Sequence, residues 1–207
     1  MQTSMPKGEY QIIHRRPRPE CLEQYIPIWE RHVIALEAGD TALADQIRVQ
    51  ELEPLQDIVS EETFPNLVTD VGCKLMLDSI FNNTAAGAVV MGLKGTGTAV
   101  VGDTQASHAG WLEVGGANAP VYTGVRPTPS FSAASGAGAG ARTKATSASV
   151  SFSITSSGTV AGGFLNVAGS STKDNTTGTM FSAGDFTGGS KTVANLDTLS
   201  VSYSLTA

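Results

Sequence analysis

Residues 199–206 alternate strictly between apolar and hydroxyl-bearing side chains. The apolar members are Leu199, Val201, Tyr203 and Leu205, and a serine or threonine follows each of them. A shorter copy of the pattern places Val150, Phe152 and Ile154 between serines. Side chains on a strand point alternately to opposite faces, so a period of two predicts strands with one face buried and the other solvated.

Glycine supplies the turns that such strands need. Residues 85–207 hold 20 of the 23 glycines, and further strand signals in this region lie at 88–93, 128–133 and 158–168. Several short strands separated by glycine-rich turns are typical of an antiparallel two-layer fold. The predicted fold class is therefore mainly β, an antiparallel β-sandwich preceded by an extended and helical N-terminal arm.

Charge divides the chain in the same way. Residues 1–62 hold six Lys or Arg and twelve Asp or Glu, a net charge of −6, whereas 63–207 hold seven of each. We therefore predict a docking arm over 1–63 and a unit of helix plus β-sandwich over 64–207. An acidic arm on a neutral body argues against nucleic acid as the main partner, because phosphate binding needs clustered Lys and Arg.

The arm contains a helical hairpin with a narrow apolar seam. A first helix is predicted from Pro27, with Trp29, Val33 and Leu36 on one face, and it ends at Gly39. Asp40 is a candidate N-cap for a second helix that carries Ile47 on its apolar face. A seam this small cannot form an independent core, so we expect it to pack on the body, on sister subunits or on a partner.

The segment before the hairpin is interrupted by prolines. Tyr10 and Ile12 there are expected to form a short strand or to dock as an extended peptide on another chain. The basic residues nearby are expected to pair with carboxylates of a protein partner. The predicted docking residues are Tyr10, Ile12, Arg15, Arg16, Trp29, Val33, Leu36 and Ile47.

A third helix is predicted after Phe64-Pro65, with Asn66 as its candidate cap and its end at 82–84. Gly72 lies in mid-helix, where glycine is unfavourable, so close packing against a neighbour is expected there.

Other signals are sparse. Neither a signal peptide nor an apolar run of membrane-spanning length is visible, so we expect no membrane association. Cys21 and Cys73 are expected to be free thiols, and no ligand spacing predicts a metal or other cofactor.

One loop places His108 between Asp103 and Glu113, which admits a hydrolase hypothesis. That hypothesis requires the three side chains to converge in a cleft. The alternative, which we favour, is that Asp103 and His108 fix the loop by hydrogen bonds. We therefore predict no catalytic residues.

The same loop carries a resemblance. The order Asp103–Glu113, Ala119–Tyr122, Arg126-Pro127, Phe131–Ser135, Gly184–Phe186 and Asp197–Val201, together with the Asn-Leu-Val-Thr-x-x-Gly start at 66–72, resembles a family of small virion proteins of tailed bacteriophages. These are described as tail-fibre-like or head-decoration proteins. The resemblance covers about residues 64–207 and implies a virion location without enzymatic activity.

Physical reasoning gives this motif a structural role. Trp111 is expected to anchor its loop in the core with its N–H hydrogen-bonded, and Arg126 to pair with Glu113. The fold-determining set is predicted as Asp103, His108, Trp111, Glu113 and Arg126.

The resulting hypothesis is an accessory virion protein that docks onto portal, adaptor, tail or major capsid proteins. It is expected to form a homo-oligomer, plausibly a trimer. The alternative is a carbohydrate-binding module or adhesin that contacts a host surface glycan. That alternative requires Trp111 to be solvent-exposed beside Tyr122.

Overall fold

The computed structural model describes residues 7–138 and 141–206. It is mainly β, with 41% strand, 23% helix and a large antiparallel sheet. The strands are β1 (Lys7–Pro17), β2 (Gln56–Val68), β3 (Val89–Gly97), β4 (Trp111–Val114), β5 (Thr143–Ala145), β6 (Val150–Ser153), β7 (Gly158–Val160), β8 (Gly162–Val167), β9 (Thr179–Asp185), β10 (Lys191–Val193) and β11 (Thr198–Thr206). The helices are α1 (Leu22–Glu37), α2 (Thr41–Ile47) and α3 (Asp70–Phe81).

One nine-stranded sheet runs in the order β4-β3-β8-β9-β2-β1-β11-β5, and β6 pairs with another stretch of β11. The long strand β2 joins the two halves of this sheet. Its residues 56–66 pair with β1, and its last two residues, Leu67 and Val68, pair with β9. Strands β7 and β10 form a separate two-stranded sheet.

Both halves of the sheet contribute to one core. The Tyr10 ring stacks on Phe64 at 5.3 Å between centroids and meets Tyr203 edge-on at 4.9 Å. Met91 on β3 and Leu199 on β11 belong to the same buried cluster. The apolar members of the 199–206 alternation thus face the interior as predicted, apart from the half-buried Leu205.

The serine and threonine side chains of β6 and β11 were expected to be solvated. That expectation is wrong where the end of β6 pairs with the start of β11. Ser153, Thr198 and Ser200 are buried. The helical hairpin covers this end, where His32 contacts the Ser153 hydroxyl and Gln56 donates to Thr198.

The N-terminal segment is an inner strand. Strand β1 lies between β2 and β11, and both neighbours pair with it over most of its length. Tyr10 and Ile12 are fully buried in the core, so their predicted role in docking on a partner is wrong. Of the two alternatives left open by the sequence, the strand is the one observed. The predicted boundary at 63/64 falls inside β2. Residues 1–19 were expected to be extended, and the first six of them lie outside the described residues.

The hairpin begins earlier than predicted. Helix α1 starts at Leu22, and Pro27 lies inside it on the exposed side. Asp40 caps α2 as expected, accepting a hydrogen bond from the Leu43 amide at 3.0 Å. A π-helical turn at Arg48–Leu52 and a 3-10 turn at Glu53–Leu55 then lead into β2.

Helix α3 begins after Thr69, whose side chain accepts from the Gly72 amide at 3.0 Å. The predicted cap Asn66 lies instead within β2. A Cβ at position 72 would lie 2.3 Å from the Phe181 carbonyl oxygen, so glycine is required for the approach of α3 to β9. Close packing at Gly72 is therefore confirmed.

Candidate interaction surfaces

Residues 98–128 form an irregular segment that is nevertheless firmly held. The Trp111 indole is 2% exposed, and its N–H donates to the Asp103 carboxylate at 2.9 Å. The same carboxylate accepts from the Val100 amide at 2.9 Å. His108 donates from Nδ1 to the Trp111 carbonyl at 3.1 Å, and its ring stacks on the indole at 4.1 Å. Asp103 and His108 thus fix the loop around the buried tryptophan.

A buried ion pair fixes the rest of this segment. Arg126 is fully buried, and its Nε donates to Glu113 Oε1 at 2.8 Å. The guanidinium also donates to the Ser170 carbonyl at 3.0 Å and the Asn175 carbonyl at 2.9 Å, while Glu113 accepts from the Asp174 amide at 3.0 Å. Such pairing is what permits a charged group to be buried. The expected Arg126–Glu113 contact is present, and it also clamps the 170–175 loop, which sequence reasoning missed.

The acidic and imidazole groups of this loop have separate partners. Asp103 is bonded to Trp111, Glu113 to Arg126, and His108 to a main-chain carbonyl. His108 and Glu113 line a common cleft, but Asp103 is not among its lining residues, so the three side chains of the hydrolase hypothesis do not meet in that cleft. Within the described ranges, no group of three or more His, Cys, Asp or Glu side chains is placed to hold a metal ion.

The condition set for a sugar-binding face is also not met. Trp111 is buried, and Tyr122 is fully buried with its ring edge-on to Phe152 at 5.0 Å. Burial raises the pKa of the Tyr122 hydroxyl. An aromatic platform for a sugar must be exposed, so this pair does not provide one.

The predicted docking stripe of the hairpin faces its own chain. Trp29 and Ile47 are buried together with Tyr25 and Leu52, and this cluster packs against Leu196 of the body. Val33 and Leu36 are half-buried, and Val33 packs against the same cluster. The prediction that this stripe binds a partner is wrong for Trp29 and Ile47. Packing on the body, one of the alternatives considered, is what occurs.

The predicted basic docking residues also find carboxylates within the chain. Arg16 donates to both oxygens of Asp197, at 2.8 and 2.6 Å, and Arg15 lies 3.8 Å from Glu53. His14 contacts the same Asp197 at 2.7 Å. Burial alone would raise the pKa of Asp197, but the hydrogen bonds from Arg16 and His14 outweigh it and lower this pKa. The cluster ties β1 to the turn before β11.

A buried histidine pins the hairpin to the sheet. His32 Nδ1 lies 2.9 Å from the Ala44 carbonyl and must donate to it, so Nε2 accepts from the Ser153 hydroxyl at 2.7 Å. Burial lowers the pKa of His32. The Tyr25 hydroxyl donates to the Leu196 carbonyl at 3.1 Å and adds a second attachment.

The hairpin also carries apolar side chains that no other part of the described residues 7–138 and 141–206 covers. We call the hairpin outer face the exposed set Leu22, Ile26, Ile34, Leu43 and Val49. Ile34 is 65% exposed, the most open of the five. Exposed acidic residues surround them, including Glu30, Glu37 and Asp45. This surface is therefore both apolar and acidic.

Helix α3 carries the second uncovered apolar surface. Leu77, Ile80 and Phe81 are 56%, 74% and 79% exposed. A cleft of about 450 Å³ opens between α3 and the neighbouring strands. Its apolar lining includes Leu75, Met76, Val89, Leu165, Phe181 and Leu205. We refer to this space as the α3 cleft.

Comparison of the chain with protein-family models, with curated proteins and with solved structures gives no match. Among the helices of the described residues, none is long and apolar enough to cross a membrane. The two apolar surfaces and the resemblance of residues 64–207 are the features that indicate a function.

Proposed function

We propose that the chain is an accessory structural protein of a tailed-phage virion. Its two sheet halves act as the layers of a β-sandwich, and the N-terminal hairpin mounts this body on portal, adaptor, tail or major capsid proteins. The motif resemblance supports the virion location. The observation that carries the docking role is the exposed apolar hairpin outer face.

The hairpin outer face is suited to docking because the inner face is already occupied. Trp29 and Ile47 hold the hairpin on the body, so the helices are presented in a fixed orientation. Fixing a surface before it binds removes an ordering cost from association. Ile34 is 65% exposed, so its burial by a partner would contribute about 1–2 kcal/mol, two thirds of the value for a fully exposed side chain.

Charge indicates the kind of partner surface. Residues 1–62 carry a net charge of −6, and several acidic side chains lie between the apolar ones on the hairpin. A neutral or basic patch on a virion protein would complement this face, whereas an acidic one would repel it.

The test is incorporation of variants into purified virions. Ile34→Asp combined with Leu43→Asp should reduce the copies per particle by at least roughly tenfold, because charged groups would replace apolar contacts. Quantitative mass spectrometry of the particles measures this, and circular dichroism of the purified variant verifies its fold. The matched control is Leu112→Asp, an exposed leucine on β4 outside the hairpin.

Two results would contradict the proposal at different points. Absence of the wild-type chain from particles would reject the virion assignment. Retention of the double variant at wild-type copy number would reject docking through the hairpin outer face while leaving the virion location intact.

A further inference from the structure

The N-terminal end of helix α3 is bonded to β9. Thr69 donates to the Met180 carbonyl and caps the Gly72 amide, and Gly72 lies directly against the main chain of Phe181. Toward the other end, Leu77, Ile80 and Phe81 are exposed. Gly72 is the single fully buried residue of the helix. The helix therefore lies close to β9 where it starts and leaves apolar side chains uncovered where it ends.

The α3 cleft is the apolar space next to that end. Leu75, Met76 and Ile80 of the helix line one side, and Phe181 and Leu205 are among the residues that line the other. Among the lining residues, Lys144 alone carries a charge. A continuous exposed apolar surface of this kind marks an interaction site more often than a free surface.

The same region supplies both a projection and a recess. Ile80 and Phe81 are exposed at the end of α3, and Ile80 also forms part of the wall of the recess. A two-fold axis places the projection of each copy in the recess of the other, so that every contact occurs twice. A surface that contains both complementary shapes is suited to its own copy.

We propose that the α3 cleft is filled by the end of α3 from a second copy of this chain, forming a two-fold dimer. Ile80 and Phe81 of each copy lie in the cleft of the other. This inference specifies the homo-oligomer within the proposed function, and it concerns purified protein, so it does not depend on where the chain is located in a particle.

The charges of the surface favour a second copy over a charged partner. Helix α3 carries Asp70, Lys74 and Asp78, and Lys144 lines the cleft. This surface therefore has two charges of each sign. Two copies therefore meet without net repulsion, although the chain as a whole carries −6. Asp78 lies one helical turn before Phe81, so insertion of the helix end brings it toward Lys144 of the other copy.

The first test is the oligomeric state in solution. Analytical ultracentrifugation of the wild-type chain at micromolar concentration should show a dimer, and Phe81→Asp should weaken dimerisation by roughly a hundredfold or more. Leu112→Asp, which also places a carboxylate at an exposed apolar residue but lies outside α3, should leave the dimer intact. A wild-type monomer or trimer would overturn the two-fold arrangement, as would a Phe81→Asp dimer of unchanged affinity.

The second test examines the register of the two copies. Asp78→Lys and Lys144→Asp should each weaken dimerisation by roughly three- to tenfold, since each places like charges together. Combining both substitutions restores the opposite pairing and should recover most of the lost affinity. Additive weakening in the double variant would show that these two residues do not meet and would reject the proposed register.

Discussion

The 98–128 segment and helix α3 differ in a way opposite to what their secondary structure suggests. The segment is irregular except for β4, yet it contains the buried Trp111 and the fully buried Arg126. Helix α3 is a regular twelve-residue element, yet Gly72 is its single fully buried residue. Regular hydrogen bonding within an element therefore does not indicate how strongly that element is held to the body.

The difference lies in where polar and apolar groups find partners. In the loop segment, Asp103, Glu113 and Arg126 are bonded to other groups of the chain. In α3, apolar side chains remain uncovered, and their burial would be favourable wherever a matching surface is available. The first region is thus a structural centre, and the second is available for association.

The largest expected effect is at the buried ion pair. Glu113→Gln keeps the shape of the side chain but leaves the Arg126 charge uncompensated in the interior, so the free energy of unfolding should fall by about 3–5 kcal/mol. Urea denaturation followed by circular dichroism measures this.

A matched double variant keeps this prediction testable if the single variant does not fold. Glu113→Gln with Arg126→Met removes the buried positive charge as well, and should be more stable than Glu113→Gln alone. A single variant as stable as wild type would show that the loop segment is not anchored by this pair.

The sequence predicted contacts between residues close together in the chain. One loop contains Asp103, Trp111 and Glu113, and Arg126 lies 13 residues after Glu113. Residue type and spacing were therefore enough to predict these contacts. The clamp of Arg126 on Ser170 and Asn175 spans 44 and 49 residues and left no local signal. Contacts of that separation depend on the order of strands in the sheet, which alternation does not encode.

Periodicity likewise showed which face is buried without showing what buries it. Trp29 was correctly placed on an apolar stripe, but the stripe packs on Leu196 of the same chain and not on a partner. A strand at Tyr10 and Ile12 was one of two alternatives, but its inner place in the sheet could not be predicted, because that place depends on β2 and β11. The signal at 158–168 was predicted as one strand but forms β7 and β8, which belong to different sheets.

The hairpin is an intermediate case, because it is regular and is attached both by its buried apolar cluster and by the polar contact of His32. Burial lowers the pKa of His32, so the folded state favours the neutral imidazole. The unfolded chain then binds the proton more readily, and stability should be lost as pH falls below about 6.5, the unperturbed value for histidine. We expect this loss to continue, as the pH falls further, until His32 is protonated in the folded state as well.

The measurement is denaturant-induced unfolding at pH 7.5 and pH 5.5, compared with His32→Gln. Glutamine does not titrate, so the variant should be less stable at pH 7.5 and should lose less stability on acidification. Both proteins retain His14 and His108, so the difference between their pH profiles isolates His32. Parallel profiles would show that the hairpin is attached independently of the His32 protonation state.

The smallest effect is expected at the end of α3 when the chain is monomeric. Ile80 is 74% exposed, so Ile80→Ala in a Phe81→Asp background should change the free energy of unfolding by no more than about 0.5 kcal/mol. In the otherwise wild-type chain, the same substitution should weaken dimerisation, because the Ile80 side chain is buried only between copies. A loss above about 1.5 kcal/mol in the monomeric background would mean that Ile80 is buried within its own chain. The end of α3 would then be held to the body as the 98–128 segment is, and less apolar surface would be available to a second copy.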